Sequence, residues 1–191
     1  EDLRAANKAI TVAVVSADPQ NNPDNAATIA RRWFDTEGVD LIVDVPTSGV
    51  ALAVAGIAKE KNKVMIATTA GTSDITGKAC TPNTLHWVRD TWSNSHGTAE
   101  AVVKSGGKRW YFLTADYTFG TTMERETSDV VKANGGTILG SVRHPLNATD
   151  FSSFLLQAQN SKAQIIGLAN GGTDTINAIK TAGEFRPVAG G

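Results

Sequence analysis

The sequence predicts an α/β fold built on parallel sheet, and three observations carry that reading. Short β-branched runs alternate with longer helical stretches along the whole chain. The helical stretches are long enough to carry the chain back across a sheet, so that the next strand starts in the same direction. Glycines stand where the helices should stop, at Gly38, Gly106-Gly107 and Gly135-Gly136. Right-handed crossovers place helices on both faces of such a sheet.

Each element follows from local chemistry. Ile10 to Val15 reads as a strand, and the Pro- and Asn-rich run Asp18 to Pro23 as a loop. Asp24 or Asn25 can cap a helix to about Glu37, with Ala27, Ile29, Ala30, Trp33 and Phe34 on its apolar side. Val39 to Val45 is the next strand, Pro46 to Gly49 a turn, and residues 50–61 an Ala-rich helix. Lys63 to Thr68 is a strand that opens into a small polar segment, Thr69 to Thr76. The rhythm then repeats: helix 93–105, strand 110–114, helix 119–133, strand 137–142, helix 151–160, strand 164–169 and a last helix over about 173–182.

Composition removes several function classes. Of the 191 residues 41% are hydrophobic and 19% charged, enough apolar material for a packed core. The net charge is −1 and neither half is basic, so nucleic acid and anionic membranes are poor partners. No apolar run approaches the roughly 18 residues of a membrane span, which argues against direct membrane insertion. Cys80 is the only cysteine, which excludes a disulfide framework or a cysteine-rich zinc site within one chain.

Catalytic and cofactor motifs fail on inspection. Gly71 to Lys78 has five residues between its glycines where a phosphate loop has four, and Ala79 replaces the magnesium-binding hydroxyl. Asn170-Gly171-Gly172-Thr173 lacks the spacing of a dinucleotide fingerprint. His86, His96 and His144 are scattered, with no metal-binding pair, and neither a metal nor a cofactor is implied. No nucleophile elbow is present. Asp44 and Asp116 lie near strand ends, where a carboxylate is more often solvated or capping than catalytic. Asn147-Ala148-Thr149 matches a glycosylation sequon, a short pattern that recurs by chance.

Binding chemistry remains. Ligands of parallel α/β sheets sit outside the carboxyl ends of the strands. That rule selects Pro46 to Gly49, Thr68 to Ser73, Ala115 to Gly120 and Asn170 to Asp174. Thr47, Ser48, Thr69 and Thr72 bring hydroxyls to helix starts, where free N–H groups favour a carboxylate. Trp92, Tyr117 and Phe119 can form flat apolar walls. The competing reading makes the hydroxyls ordinary caps and the aromatics core.

An ordered set of segments adds a resemblance. Val14 to Gln20, Gly38 to Val43, Thr47-Ser48 with Ala51 and Ala53, Asn62 to Ile66 and Ala70 to Thr76 carry it in the first half. Ala115 to Gly120, Ala133 to Gly136 and Thr149 to Ser153 carry it in the second. In order and spacing they resemble the solute-binding proteins of branched-chain amino acid type ABC transporters, the type I periplasmic binding protein or Venus flytrap fold.

The resemblance implies two doubly wound parallel-sheet lobes, residues 1–90 and 91–191, joined by a hinge and closing on a small carboxylate. It implies a transport role without catalysis, a membrane permease as partner, and a periplasmic or extracellular, membrane-tethered location. By position, Thr47 or Ser48 would hold the ligand carboxylate, Ala70 would offer backbone contacts and Thr72 a hydroxyl. Phe119 and Tyr117 would form the second-lobe wall, with Trp92 at the lobe crossover and Asn170 at a strand end. Amino acids and benzoate-like aromatic acids both fit the class. Relative to the family both lobes look partial. The first strand and most of its helix are missing, and the return crossings expected after Gly191 are absent. The missing strand is interior in the usual order, so unpaired edges and poor autonomous stability are expected. An acidic residue for an amino acid's ammonium would lie beyond Gly191 or be replaced. A Rossmann-like enzyme using Asp44 or Asp116, and the ligand-sensing domain of a receptor or regulator, are the rival readings.

Overall fold

Asn22 starts the first helix. In the computed structural model, which describes residues 11–185, its side-chain oxygen accepts from the backbone N–H of Asp24 (2.9 Å) and Asn25 (3.1 Å). Two donors that a first turn leaves free are thereby satisfied. The sequence alone places the cap at Asp24 or Asn25. Helix α1 (Pro23–Asp35) begins earlier because Pro23 suits the first helical position, where its missing N–H costs nothing. Ala26, Ala30 and Phe34 form its buried stripe.

The first sheet has the order β1-β2-β3, from β1 (Leu41–Val43), β2 (Val64–Ala67) and β3 (Thr84–His86). All pairs are parallel, with Leu41 beside Val64 and Met65 beside Thr84. Helix α2 (Ser48–Glu60) joins β1 to β2 and buries Val50, Ala51, Val54, Ala55 and Ala58. These small side chains let α2 lie close to both α1 and the sheet, in one core with Ile42, Met65 and Ala67. A single 3-10 turn, Ser73–Ile75, stands between β2 and β3.

The second sheet has the order β5-β4-β6, again parallel. Its strands are β4 (Arg109–Ala115), β5 (Thr137–His144) and β6 (Ile165–Ala169). Period-two alternation along β4 decides its packing. Trp110 and Phe112 join a core with Ala99 and Val103 of α3 (Thr91–Lys104) and Val130 and Val131 of α4 (Thr118–Ala133). Tyr111 and Leu113 face the other way, onto Phe151 and on to Leu155 and Ala158 of α5 (Ser152–Asn160) and Ala178 of α6 (Thr173–Phe185). Burying each large apolar side chain is worth about 1.5–3 kcal/mol, so β4 anchors this half.

Gly120 allows α4 to start hard against the sheet. A Cβ there would stand 2.2 Å from the Ala115 carbonyl oxygen and 2.8 Å from that of Ala169. Only glycine lets the first turn of α4 sit over the ends of β4 and β6.

Three expectations change. Residues 11–15 do not form the expected strand, and Val14 and Val15 are 86% and 50% exposed; Ile10 lies outside the described residues. β-branched composition alone does not make a strand, and among the described residues β1 is hydrogen-bonded to β2. Strand β3 has no counterpart in the sequence reading. Three residues are too few to show a period, and pairing to β2 creates the strand. Finally, helices cover both faces of the second sheet, whereas Leu41, Val43 and Leu85 of the first sheet stay exposed.

Candidate ligand-binding cleft

The loops at the carboxyl ends of β1 and β2 bring Thr47, Ser48, Ala70 and Thr72 together. Thr47 is the N-cap of α2 yet makes no capping bond, and its Oγ1 is buried without a partner. Ser48 is buried, and its Oγ accepts from the Thr72 N–H at 3.2 Å. Ala70 is buried too, and its carbonyl accepts from His86 Nε2 at 2.7 Å. Thr72 Oγ1 accepts from the Asp74 N–H (3.3 Å), capping the 3-10 turn, and donates to Thr122 Oγ1 of α4 (3.3 Å).

The second sheet offers a matching set. Tyr117 is the N-cap of α4, extended and again without a side-chain capping bond. Its ring centroid lies 5.9 Å from that of Phe119. Burial, and then the charge of Asp174, push the Tyr117 phenol above its ordinary value. The Phe119 ring lies between the two halves: a Cβ on Gly71 would meet its Cε2 at 2.9 Å, and one on Gly171 its Cε1 at 3.9 Å. Asn170 is buried, donating Nδ2–H to His144 Nε2 (3.1 Å) and accepting from Thr175 Oγ1 (2.8 Å). His144 in turn donates from Nδ1 to the Pro145 carbonyl (2.9 Å), so the Nδ1–H tautomer satisfies both contacts. Phe151 and Phe154 pack around that imidazole.

One face of α4 ties the halves together. Thr118, Thr122, Arg125 and Glu126 are spaced by three and four residues and share that face. Thr118 Oγ1 lies 3.1 Å from where a Gly49 Cβ would stand. Thr122 meets Thr72, and the Glu126 carboxylate accepts from the Ser73 hydroxyl. Arg125 reaches Asp74 at 3.2 Å and Glu126 at 3.3 Å.

The sequence-selected residues therefore fall into three groups. Thr47, Ser48, Ala70 and Thr72 converge at the ends of the first sheet, while Tyr117, Phe119 and Asn170 converge at the ends of the second. Trp92 joins neither set: it is 54% exposed and stacks on His96 of its own helix at 4.1 Å. Asp44 is exposed and accepts from the Thr68 hydroxyl (3.3 Å), and Asp116 is exposed 4.0 Å from Arg143. No group of three metal-ligating side chains occurs among the described residues.

Sequence reasoning missed Asp174, Thr122, Asp74, Arg125 and Glu126. Asp174 lay inside an inspected segment, but an acid in a helix's first turn looks like an ordinary dipole partner. The α4 set had a readable signal in its spacing from Phe119, but nothing in one sequence says which neighbour that face meets.

Two parallel sheets whose strand-end loops meet along α4, carrying hydroxyls and aromatic rings, describe a binding fold. The chain belongs to the periplasmic binding protein family, which it matches over residues 3–186. A periplasmic binding protein from Burkholderia mallei is 58% identical, with a TM-score of 0.86 over 91% of this chain and 46% of that one. A branched chain amino acid ABC transporter periplasmic ligand-binding protein from Burkholderia xenovorans LB400 is 40% identical, with a TM-score of 0.69 over 90% and 46%. An ABC transporter solute binding protein from R. palustris, in complex with 4-hydroxybenzoate, is 26% identical, with a TM-score of 0.77 over 91% and 46%. The chain thus spans less than half the length of each of these structures. The last two are a ligand-binding and a solute binding protein of ABC transporters. No helix among the described residues is long and apolar enough to cross a membrane.

Proposed function

We propose that the protein containing this chain is the solute-binding component of an ABC importer and holds a small carboxylate, an amino acid or an aromatic acid, between two lobes. Residues 1–90 and 91–191 belong to different lobes, and closure is driven by contacts that exist only when both touch the ligand. The carrying observation is Thr47. A buried hydroxyl without a partner, at the start of a 13-residue helix with no side-chain cap, leaves a donor and free N–H groups for an anion. Ser48 adds a hydroxyl whose hydrogen is free of its contact with Thr72, and the Ala70 and Thr72 loop adds backbone donors. Tyr117 and Phe119 supply the opposing wall, and Asn170 holds the β6 end in place. Trp92, stacked on His96, stands outside this set. A permease is the partner, and the periplasm or the outer face of the membrane is the location.

The test is calorimetry on the full-length protein with amino acids and benzoate-type acids, repeated with Thr47→Val, which removes the hydroxyl but keeps the shape. A hydrogen bond to a charged group is worth about 1.5–3 kcal/mol, so affinity for the bound acid should fall at least tenfold. Unchanged affinity in that variant, or no binding of any small acid, would reject the reading.

A further inference from the structure

Among the described residues, Asp174 Oδ1 is a buried polar atom with no hydrogen-bond partner, as are Thr47 Oγ1 and Glu126 Oε2. Asp174 is 4% exposed, and its Oδ2 accepts from the Asn147 N–H at 3.3 Å. A carboxylate oxygen removed from water and left unpaired is costly, so such an atom marks a place where a donor belongs. No donor of the described residues meets Oδ1; Asn170 gives an N–H to His144, and the Thr175 hydroxyl donates to Asn170. Neither Lys nor Arg reaches Asp174 within 4.0 Å among the described residues. Asp174 stands in the first turn of α6, and its charge acts on Tyr117, whose ring lies 5.9 Å from that of Phe119, the ring that meets Gly71 of the first half.

The pairing with Thr47 is informative. In the first half the unpartnered atom is a hydroxyl that can donate, at a helix start that favours negative charge. In the second half, at the end of β6, it is the Asp174 carboxylate oxygen, which can only accept; the other unpartnered atom there, Glu126 Oε2, belongs to a carboxylate already held through Oε1 by Ser73 and Arg125. We propose that Asp174 is the specificity-determining residue of the second lobe, its Oδ1 accepting a hydrogen bond from a hydroxyl or ammonium that the ligand carries away from its carboxylate. This rests on the reading above, with the carboxylate at Thr47, and narrows it: the preferred solute is an acid with a donor, and its donor-free analogue is rejected. Discrimination of this kind is strong, because an analogue without the donor leaves a buried acceptor unpaired.

Two matched pairs of probes test it on the full-length protein by calorimetry: 4-hydroxybenzoate against benzoate, and L-leucine against 4-methylpentanoate. In the wild type the donor-bearing member of one pair should bind at least tenfold more tightly, and the pair that responds tells hydroxyl from ammonium. Asp174→Asn, which can turn an N–H₂ toward the ligand, and Asp174→Ala should each erase that preference while leaving the donor-free acid's affinity within about threefold. Melting of each variant without ligand checks that it is folded, and Asp174→Glu provides a second folded variant that keeps the charge but displaces the acceptor; it too should lose most of the preference. Binding of both members of each pair equally by the wild type, or a preference that survives Asp174→Asn and Asp174→Ala, overturns the proposal and leaves the carboxylate site standing. If none of the four acids binds, the parent reading falls and this one falls with it.

Discussion

The edge of the Phe119 ring occupies the space that a side chain at Gly71 would need. A Cβ on Gly71 would come within 2.9 Å of Phe119 Cε2 and 3.3 Å of Cδ2. The residue that follows Ala70 in the first half is thus shaped by an aromatic ring that starts α4 in the second. Gly71→Ala should force the ring or the loop to shift, reducing ligand affinity several-fold and stability by about 1–2 kcal/mol, within the usual range for overpacking. Calorimetry and thermal melting check this, and Phe119→Leu in the same protein should restore part of the loss. A Gly71→Ala protein that binds and melts like wild type would mean that the two halves are not in contact here when ligand is held.

Gly120 meets backbone instead of side chain, so the outcome there should be harsher. The Cβ of Gly120→Ala would lie 2.2 Å from the Ala115 oxygen and 2.8 Å from the Ala169 oxygen. Neither carbonyl can move without breaking the end of its strand. The variant should lose at least about 2 kcal/mol of stability, read as a lower denaturant midpoint, whereas Gly97→Ala in α3, where a Cβ meets nothing within 4 Å, should be neutral or slightly stabilising. Equal midpoints for the two variants would contradict the packing of α4 on β4 and β6.

These two glycines also show what the sequence can and cannot disclose. Helix and strand order in residues 41–75 and 91–185 is legible because periodicity and glycine stops are local properties. Strand β3 is not legible, because a three-residue strand depends on its neighbour and not on its own composition. Among the candidate contacts, the convergence of Thr47, Ser48, Ala70 and Thr72 and the approach of Phe119 to Gly71 are legible because strand ends are. Asp174 and the Asp74–Arg125–Glu126 set are not, since burial and the identity of the facing element exist only in three dimensions.

The Asp74–Arg125 pair should act on closure more than on folding. Asp74 is buried to 6% exposure while Arg125 is nearly half exposed, and Lys78 also reaches Asp74 at 3.0 Å. Pairs with a solvated partner contribute at most about 1 kcal/mol. Arg125→Met should therefore weaken ligand binding about two- to fivefold at low salt, and raising the salt to about 1 M should shrink the difference between variant and wild type by screening. A loss that is the same at low and high salt would show that Arg125 acts through its packing and not its charge.

Tyr117 gives a pH dependence with a definite sign. Burial first and the Asp174 charge second raise its phenol above the ordinary value of about 10. Above that pH the unfolded chain releases the phenolic proton while the folded chain still holds it, so the unfolded state binds fewer protons and stability falls as pH rises. The contribution is intact below pH about 10 and is lost progressively between the unfolded and the raised folded value. Burial raises Tyr111 as well, so it adds a slope of the same sign. Tyr117→Phe should flatten the alkaline decline of the melting temperature without abolishing it, and Tyr117→Phe combined with Tyr111→Phe should flatten it further. Thermal melts from pH 7 to about 11 make the comparison, and a Tyr117→Phe protein that loses stability as steeply as wild type would show that the phenol beside Asp174 does not titrate differently on folding.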